Sequence, residues 1–227
     1  MPEKAVLFDI GSTLIVGPDI SPAKYISRLL GLPDREKGRV ADLVMCRDFT
    51  CHRHVCRELA GRFAVPDELE SNIEHLWLEQ EMSAREIPGA SVAVNRVKSL
   101  GFKVGLVSDI WAPYYRAFLQ ACPEAAALVD YAALSFREGI KKPSREIFRR
   151  ALDGLGVSPE NTWMVGDTYE NDLAPAMELG IKTVWVLCRP EKEYPAMAGV
   201  LLGRLKKPDI IISSIAELDL GTGKLSY

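Results

Sequence analysis

Four short stretches of this sequence carry residue types that could do chemistry together. They are Asp9-Ile-Gly-Ser-Thr13, Ser108, Lys142-Pro143 and Gly166-Asp167-Thr-Tyr-Glu-Asn-Asp172. If they meet, they form a pocket with three carboxylates, one ammonium and one hydroxyl, a set suited to phosphoryl transfer. Magnesium prefers oxygen ligands, typically takes one or two carboxylates, and completes its shell with water and a phosphate oxygen. Asp9 and Asp167 are the expected ligands. A carboxylate can also attack phosphorus, and an aspartyl-phosphate replaces one difficult displacement by two easier ones. Asp9 is therefore expected to serve as nucleophile too. Lys142 would neutralise charge on the transferring group, while the Ser108 hydroxyl and backbone N–H groups just after Asp9 would bond its equatorial oxygens. Each stretch alone has an ordinary conformational reading: Asp, Gly, Ser and Thr are common where a strand ends in a turn, and acids suit a helix N-terminus. Their order, each at the end of an expected strand, points to one shared site.

That position follows from the elements. Lys4–Asp9 is a short, nearly continuous apolar run, the pattern of a strand buried on both faces of a parallel sheet. Similar runs recur at Lys103–Ser108, Tyr131–Ser135, Thr162–Val165, Thr183–Leu187 and Ile210–Ile212. Helical patterns separate most of them. Ala90–Leu100 ends at Gly101, Ser144–Leu155 places Ile147, Phe148, Ala151, Leu152 and Leu155 on one stripe, and Asn171–Leu179 is a shorter helix complicated by Pro175. Such alternation predicts an α/β fold with a parallel sheet. Parallel strands deliver their carboxyl ends to one edge, so residues a hundred positions apart can line one pocket.

Residues 17–86 break the alternation. They are too long for an ordinary crossover and repeat apolar residues at helical spacing: Val40, Leu43 and Val44, then Val55, Leu59 and Phe63, then Leu69, Ile73 and Leu76. They read as an all-helical insertion leaving the end of strand one, placed to act as a lid. The remainder, 1–16 and 87–227, reads as the core, with Pro208–Leu218 adding a last strand and short helix and Gly221–Tyr227 a loosely held tail.

The ordered set resembles the four motifs of the haloacid dehalogenase superfamily over residues 4–180, and the helical insertion after the first motif resembles its C1-capped members. The resemblance implies a Rossmann-like core with a helical cap, and a magnesium-dependent hydrolase acting on a small phosphorylated metabolite. It implies Asp9 as nucleophile, Ser108 as phosphate-binding hydroxyl, Lys142 as charge-balancing lysine and Asp167 as metal ligand. Asp172 would assist metal or lysine, and the Gly11 carbonyl would bind magnesium. Gly11 also marks the departure from that pattern. The phosphatases carry a second aspartate at this position to protonate the leaving group and later activate water, and losing general acid–base catalysis forfeits roughly 10²–10⁴ in rate. Asp19, Lys24, His52, His54 or a substrate group are the available substitutes. Asp109, beside Ser108, must point away or be screened. The missing aspartate leaves other readings open: a 2-haloacid dehalogenase, which Asp167 argues against, a phosphonatase using a lid lysine such as Lys24 or Lys37, or a binding or regulatory protein that has lost turnover.

Composition sets the remaining bounds. The 227 residues are 48% hydrophobic and 26% charged, with 28 Lys plus Arg against 31 Asp plus Glu and a net charge of −3. Nothing here favours nucleic acid or an anionic membrane. The N-terminus lacks signal-peptide features and no apolar run reaches a membrane span, so a cytoplasmic location is expected; oligomeric state is left open. Five cysteines, an odd number in a chain of this size, predict free thiols. Cys46, Cys51, His52, His54 and Cys56 cluster without the C-x-x-C spacing of a structural zinc site. Trp77 is expected in the core, while Trp111, just after Ser108, is placed to touch substrate.

Overall fold

The computed structural model describes residues 3–18 and 21–221; Asp19 and most of the C-terminal tail lie outside the described residues. The first strand, β1 (Ala5–Phe8), is wholly buried. Its alternation explains why it reads as continuous apolar sequence: Ala5 and Leu7 join the core on one face of the sheet, Val6 and Phe8 the core on the other. The chain then turns tightly, with the N–H groups of Leu14 and Ile15 donating to the Ile10 carbonyl at 2.9 and 3.0 Å, and enters β2 (Ile15–Val16).

Four helices follow: α1 (Pro22–Leu29), α2 (Asp34–Met45), α3 (His52–Ala60) and α4 (Leu69–Met82). The first begins where Ser21 caps the Lys24 N–H and Pro22 fits the first turn. The apolar repeats supply the buried stripes of the next three, Val40, Leu43 and Val44, then Val55 and Leu59, then Leu69, Ile73, Leu76 and Trp77. Phe63 falls beyond the end of α3, which stops at Gly61. The segment closes with β3 (Arg85–Glu86), which pairs antiparallel with β2. The expectation of an all-helical insertion is corrected here. Its entry and exit chains run side by side, and backbone groups that must be paired form a two-strand ribbon even where the side chains carry no strand pattern.

The remaining elements are α5 (Ala90–Ser99), β4 (Lys103–Ser108), α6 (Ala112–Ala121), α7 (Pro123–Ala127), β5 (Tyr131–Leu134), α8 (Ser135–Glu138), α9 (Arg145–Leu155), β6 (Thr162–Gly166), α10 (Ala174–Glu178), β7 (Lys182–Val186), α11 (Pro190–Leu201) and β8 (Ile210–Ile212). The helix expected over Asn171–Leu179 is a π-type turn at Tyr169–Leu173 followed by α10. Pro175 sits in the first turn of α10, where its missing N–H costs nothing.

The six strands of the main sheet are parallel in the order β5-β4-β1-β6-β7-β8. One face carries α9, whose Ile147, Phe148, Ala151, Leu152 and Leu155 pack on Ala5, Leu7, Val107, Ala133 and Met164. Burying each large apolar side chain contributes about 2 kcal/mol, and Phe148→Ala would forfeit roughly 3–5 kcal/mol. On the other face, Val94 and Val97 of α5 and Phe118 of α6 join an apolar core that continues into α1–α4.

The seam between those two helical groups is formed by α4 and α6. Trp111, at the head of α6, is 1% exposed. Its Nε1 donates to Gln80 Oε1 at 3.1 Å, and its ring meets Trp77 edge-on with centroids 5.4 Å apart. Trp77 lies in the core as expected. Trp111 is drawn under α4 instead of facing substrate, because a buried indole N–H requires an acceptor and Gln80 supplies one.

Candidate active site

Strand order decides what meets. Since β1 lies between β4 and β6, the residues that end or follow these three strands, Ser108, Asp9 and Asp167, converge at one edge of the sheet. The Asp9 backbone N–H still donates to Val165 at 3.0 Å, holding the residue in the sheet's register. Ser108 Oγ donates to Asp9 Oδ1 at 3.1 Å. Lys142 Nζ donates to the same oxygen at 2.6 Å and to Asp172 Oδ1 at 2.6 Å. Lys142 reaches them from the loop between α8 and α9, at a cis Lys142–Pro143 peptide. All of these groups are buried: Asp9 is 6% exposed, Lys142 5%, Asp167 3% and Asp172 1%.

The supporting contacts explain several residue choices. Asp109 Oδ1 accepts from the Lys142 backbone N–H at 2.8 Å, so this acid holds the lysine's own loop. The Asp167 carbonyl accepts from Trp185 Nε1 at 3.0 Å, which anchors the end of β6 to β7. Asp172 Oδ2 accepts from the Thr168 N–H at 2.9 Å. A Cβ on Gly166 would lie 2.5 Å from Asp172 Oδ2, so only glycine lets this carboxylate fold back over the strand end.

The electrostatics are unbalanced. Asp9, Gly11, Lys142, Asp167, Asp172 and Arg189 line a cavity of about 150 Å³, with Asp109 at its wall. Four carboxylates thus face two cations. Burial works to lower the Lys142 pKa, but Asp172, Asp9 and Asp109 outweigh it and hold the ammonium charged. The cost falls on the acids. Burial pushes Asp172 up against the pull of Lys142, and the charges of Asp9 and Asp167 add to the rise. Burial and Asp9 push Asp167 up despite Arg189, and Asp109 is raised chiefly by burial. Oxygens of Asp9, Asp167 and Asp172 lie within 4.8 Å of one another. Hard oxygen donors with excess negative charge fit a magnesium ion.

Gly11 borders the cavity, and a Cβ built on it would meet nothing within 4 Å. None of the expected substitutes among the described residues lines the cavity. Lys24 is exposed on α1. His52 Nε2 lies 4.0 Å from Glu70 and 3.9 Å from Glu74, and His54 Nδ1 is 3.0 Å from Thr50 Oγ1. Asp19 lies outside the described residues. The five cysteines are free thiols.

Sequence reasoning missed Arg189. Its Nε donates to Asp167 Oδ2 at 3.0 Å and its Nη2 contacts the same oxygen. The signal available was position: Arg189 follows closely after β7, the next strand along the same edge.

Residues 3–180 match the family model of haloacid dehalogenase-like hydrolases. The chain belongs to this family. Glyceraldehyde 3-phosphate phosphatase of Pyrococcus furiosus is 32% identical over 139 residues, 59% of this chain and 53% of that protein. Pyrimidine 5'-nucleotidase of Escherichia coli is 28% identical over 138 residues, 59% of this chain and 55% of that protein. In both, the matched region spans about half the relative's length. A phosphatase structure from Thermococcus onnurineus superposes with a TM-score of 0.58 at 22% identity, covering 94% of this chain and 95% of that one. CbbY of Rhodobacter sphaeroides, in complex with phosphate, gives 0.60 at 20% identity, covering 95% and 96%. These similarities show that this haloacid dehalogenase-like hydrolase shares its overall fold with both structures. Among the described residues no helix is long and apolar enough to cross a membrane.

Proposed function

We propose that this hydrolase is a magnesium-dependent phosphatase acting on a small phosphorylated metabolite through a covalent phospho-Asp9. The observation that carries the reading is the convergence of the Ser108 hydroxyl and the Lys142 ammonium on one oxygen of Asp9, beside two further carboxylates. In this reading the other Asp9 oxygen attacks phosphorus. The P–O ester bond breaks, and its electron pair leaves on the alcohol oxygen. Ser108 and Lys142 then turn to the phosphoryl oxygens, where charge-assisted donors stabilise the transition state most. Asp9, Asp167 and Asp172, with the Gly11 carbonyl, would hold magnesium, which supplies charge neutralisation at the phosphoryl group when bound. Helices α1–α4 would form the cap over this edge, and the core would comprise the rest. The phosphatase names of the sequence relatives support the substrate class.

Gly11 gives the leaving group no proton. Substrates with good leaving groups, aryl and acyl phosphates, are therefore turned over fastest, and alkyl phosphates slowly. The three-carboxylate set favours this reading over haloacid hydrolysis, which presents an anionic carboxylate in place of a metal-bound phosphate. The test is phosphate release from aryl, acyl and alkyl phosphates by the wild type and Asp9→Asn, with magnesium and with EDTA, and haloacids run alongside. Magnesium-dependent release lost in the variant is expected. Halide release without magnesium would replace the phosphatase reading with the dehalogenase one.

A further inference from the structure

The cavity holds a second cation that the proposed chemistry does not use. Arg189 immediately precedes α11, and its side chain is one-third exposed while its partner, Asp167, is buried. Two of its nitrogens, Nε and Nη2, converge on the single oxygen Asp167 Oδ2. Asp167 is anchored from behind, its carbonyl taken by Trp185. Its carboxylate oxygen is thus the point where two demands meet: it lies in the cluster with Asp9 and Asp172, and it carries the arginine.

A guanidinium and a divalent ion are both held by carboxylate oxygens, and like charges at adjacent positions repel strongly where water is scarce. Lys142 is committed to Asp9 and Asp172, so it does not satisfy Asp167. Without metal, Asp167 needs a counter-charge, and Arg189 is the group in contact with it. We infer that Arg189 is a positioning residue that stands in for the divalent cation on Asp167, competes with it, and must yield Oδ2 for the metal to bind. The inference rests on the reading of Asp9, Asp167 and Asp172 as magnesium ligands. The two cations are then coupled through one carboxylate: whatever favours the Arg189–Asp167 pair weakens metal binding by the same factor.

The test is calorimetric titration of magnesium chloride into wild type, Arg189→Gln, Arg189→Lys and Arg149→Gln, with no substrate present. Arg149 lies on α9 beside Glu146, away from the cavity, and controls for a generic loss of positive charge. Arg189→Gln is expected to bind magnesium roughly tenfold more tightly, within the span usual for such couplings. Arg189→Lys, which keeps the charge but cannot lay two donors on one oxygen, is expected to fall between. Arg149→Gln is expected to match wild type. Thermal melts of the same proteins in EDTA should show Arg189→Gln less stable than wild type and more strongly raised by magnesium. Unchanged or weaker magnesium binding in Arg189→Gln, with wild type binding normally, would overturn the competition alone. Equal tightening in Arg149→Gln would overturn it too, since the effect would then be one of net charge. No magnesium binding by wild type would overturn both this inference and the metal reading beneath it.

Discussion

One open position and two shifted acids set this site apart, and each has a measurable consequence. Gly11 borders the cavity beside Asp9 and has open space where a Cβ would go. The Cβ of Gly11→Asp therefore meets no neighbour, and on the proposed function the variant would supply the missing acid and base. Formation of phospho-Asp9 from alkyl phosphates should speed up by on the order of 10²-fold, with less gain on aryl phosphates, whose leaving groups need no proton. Single-turnover release of the alcohol or phenol from the two substrate classes measures this; equal gains would place the limitation elsewhere. The acids themselves set the second consequence. Asp167 and Asp172 sit above the ordinary carboxylate range because they are buried beside other carboxylates. Groups raised in the folded state favour folding while protonated, fully below about pH 4, and that contribution is lost as pH climbs toward neutrality. Magnesium must displace the same protons. Its affinity should thus be higher near about pH 8 than near about pH 6, with proton release visible as a buffer-dependent calorimetric enthalpy. Affinity independent of pH would contradict these shifted acids.

At the scale of elements, the seam between α4 and α6 joins the inserted helices to the sheet layers through one buried polar contact. Gln80→Leu would leave the Trp111 indole N–H without its acceptor at a site 1% exposed. The expected cost is about 1–3 kcal/mol, read as a lower urea midpoint, with magnesium affinity unchanged because no ligand is touched. No loss of stability would mean that the contact contributes nothing net.

What the sequence made legible follows the same division. The inner strands were readable because both of their faces are buried, which leaves runs such as Ala5–Phe8 and Lys103–Ser108 with hardly a polar residue, whereas the edge strand β8, with Ile211 exposed, was readable only as an apolar triplet. The helix over Arg145–Leu155 was readable because its stripe is strictly periodic and its cap is a serine. The β2–β3 ribbon was not, since two residues a side carry no period, and its pairing is decided by chain ends about seventy positions apart. Trp111 shows the limit for side chains: adjacency to Ser108 said nothing of which way the indole would turn. Arg189 shows the limit for sites. Its role depends on which strand neighbours β6, and local sequence carries no record of sheet order.

For the molecule as a whole, a parallel sheet gathers distant carboxylates, a lysine holds two of them, and Gly11 leaves an open position beside them. The missing group acts twice, since the same aspartate would also activate water against the aspartyl-phosphate. Both half-reactions should be slowed, but an acyl phosphate relieves the first, because its leaving group departs without a proton. Under these conditions hydrolysis of phospho-Asp9 becomes the slow step and the intermediate accumulates. The decisive measurement is rapid acid quenching of the enzyme during turnover of an acyl phosphate with magnesium, followed by intact-protein and peptide mass spectrometry. A substantial fraction of the protein is expected to carry one phosphoryl group, located on Asp9, that vanishes in Asp9→Asn and is diminished in Gly11→Asp. Steady turnover with no phosphorylated protein, or a phosphoryl group on any other residue, would contradict it.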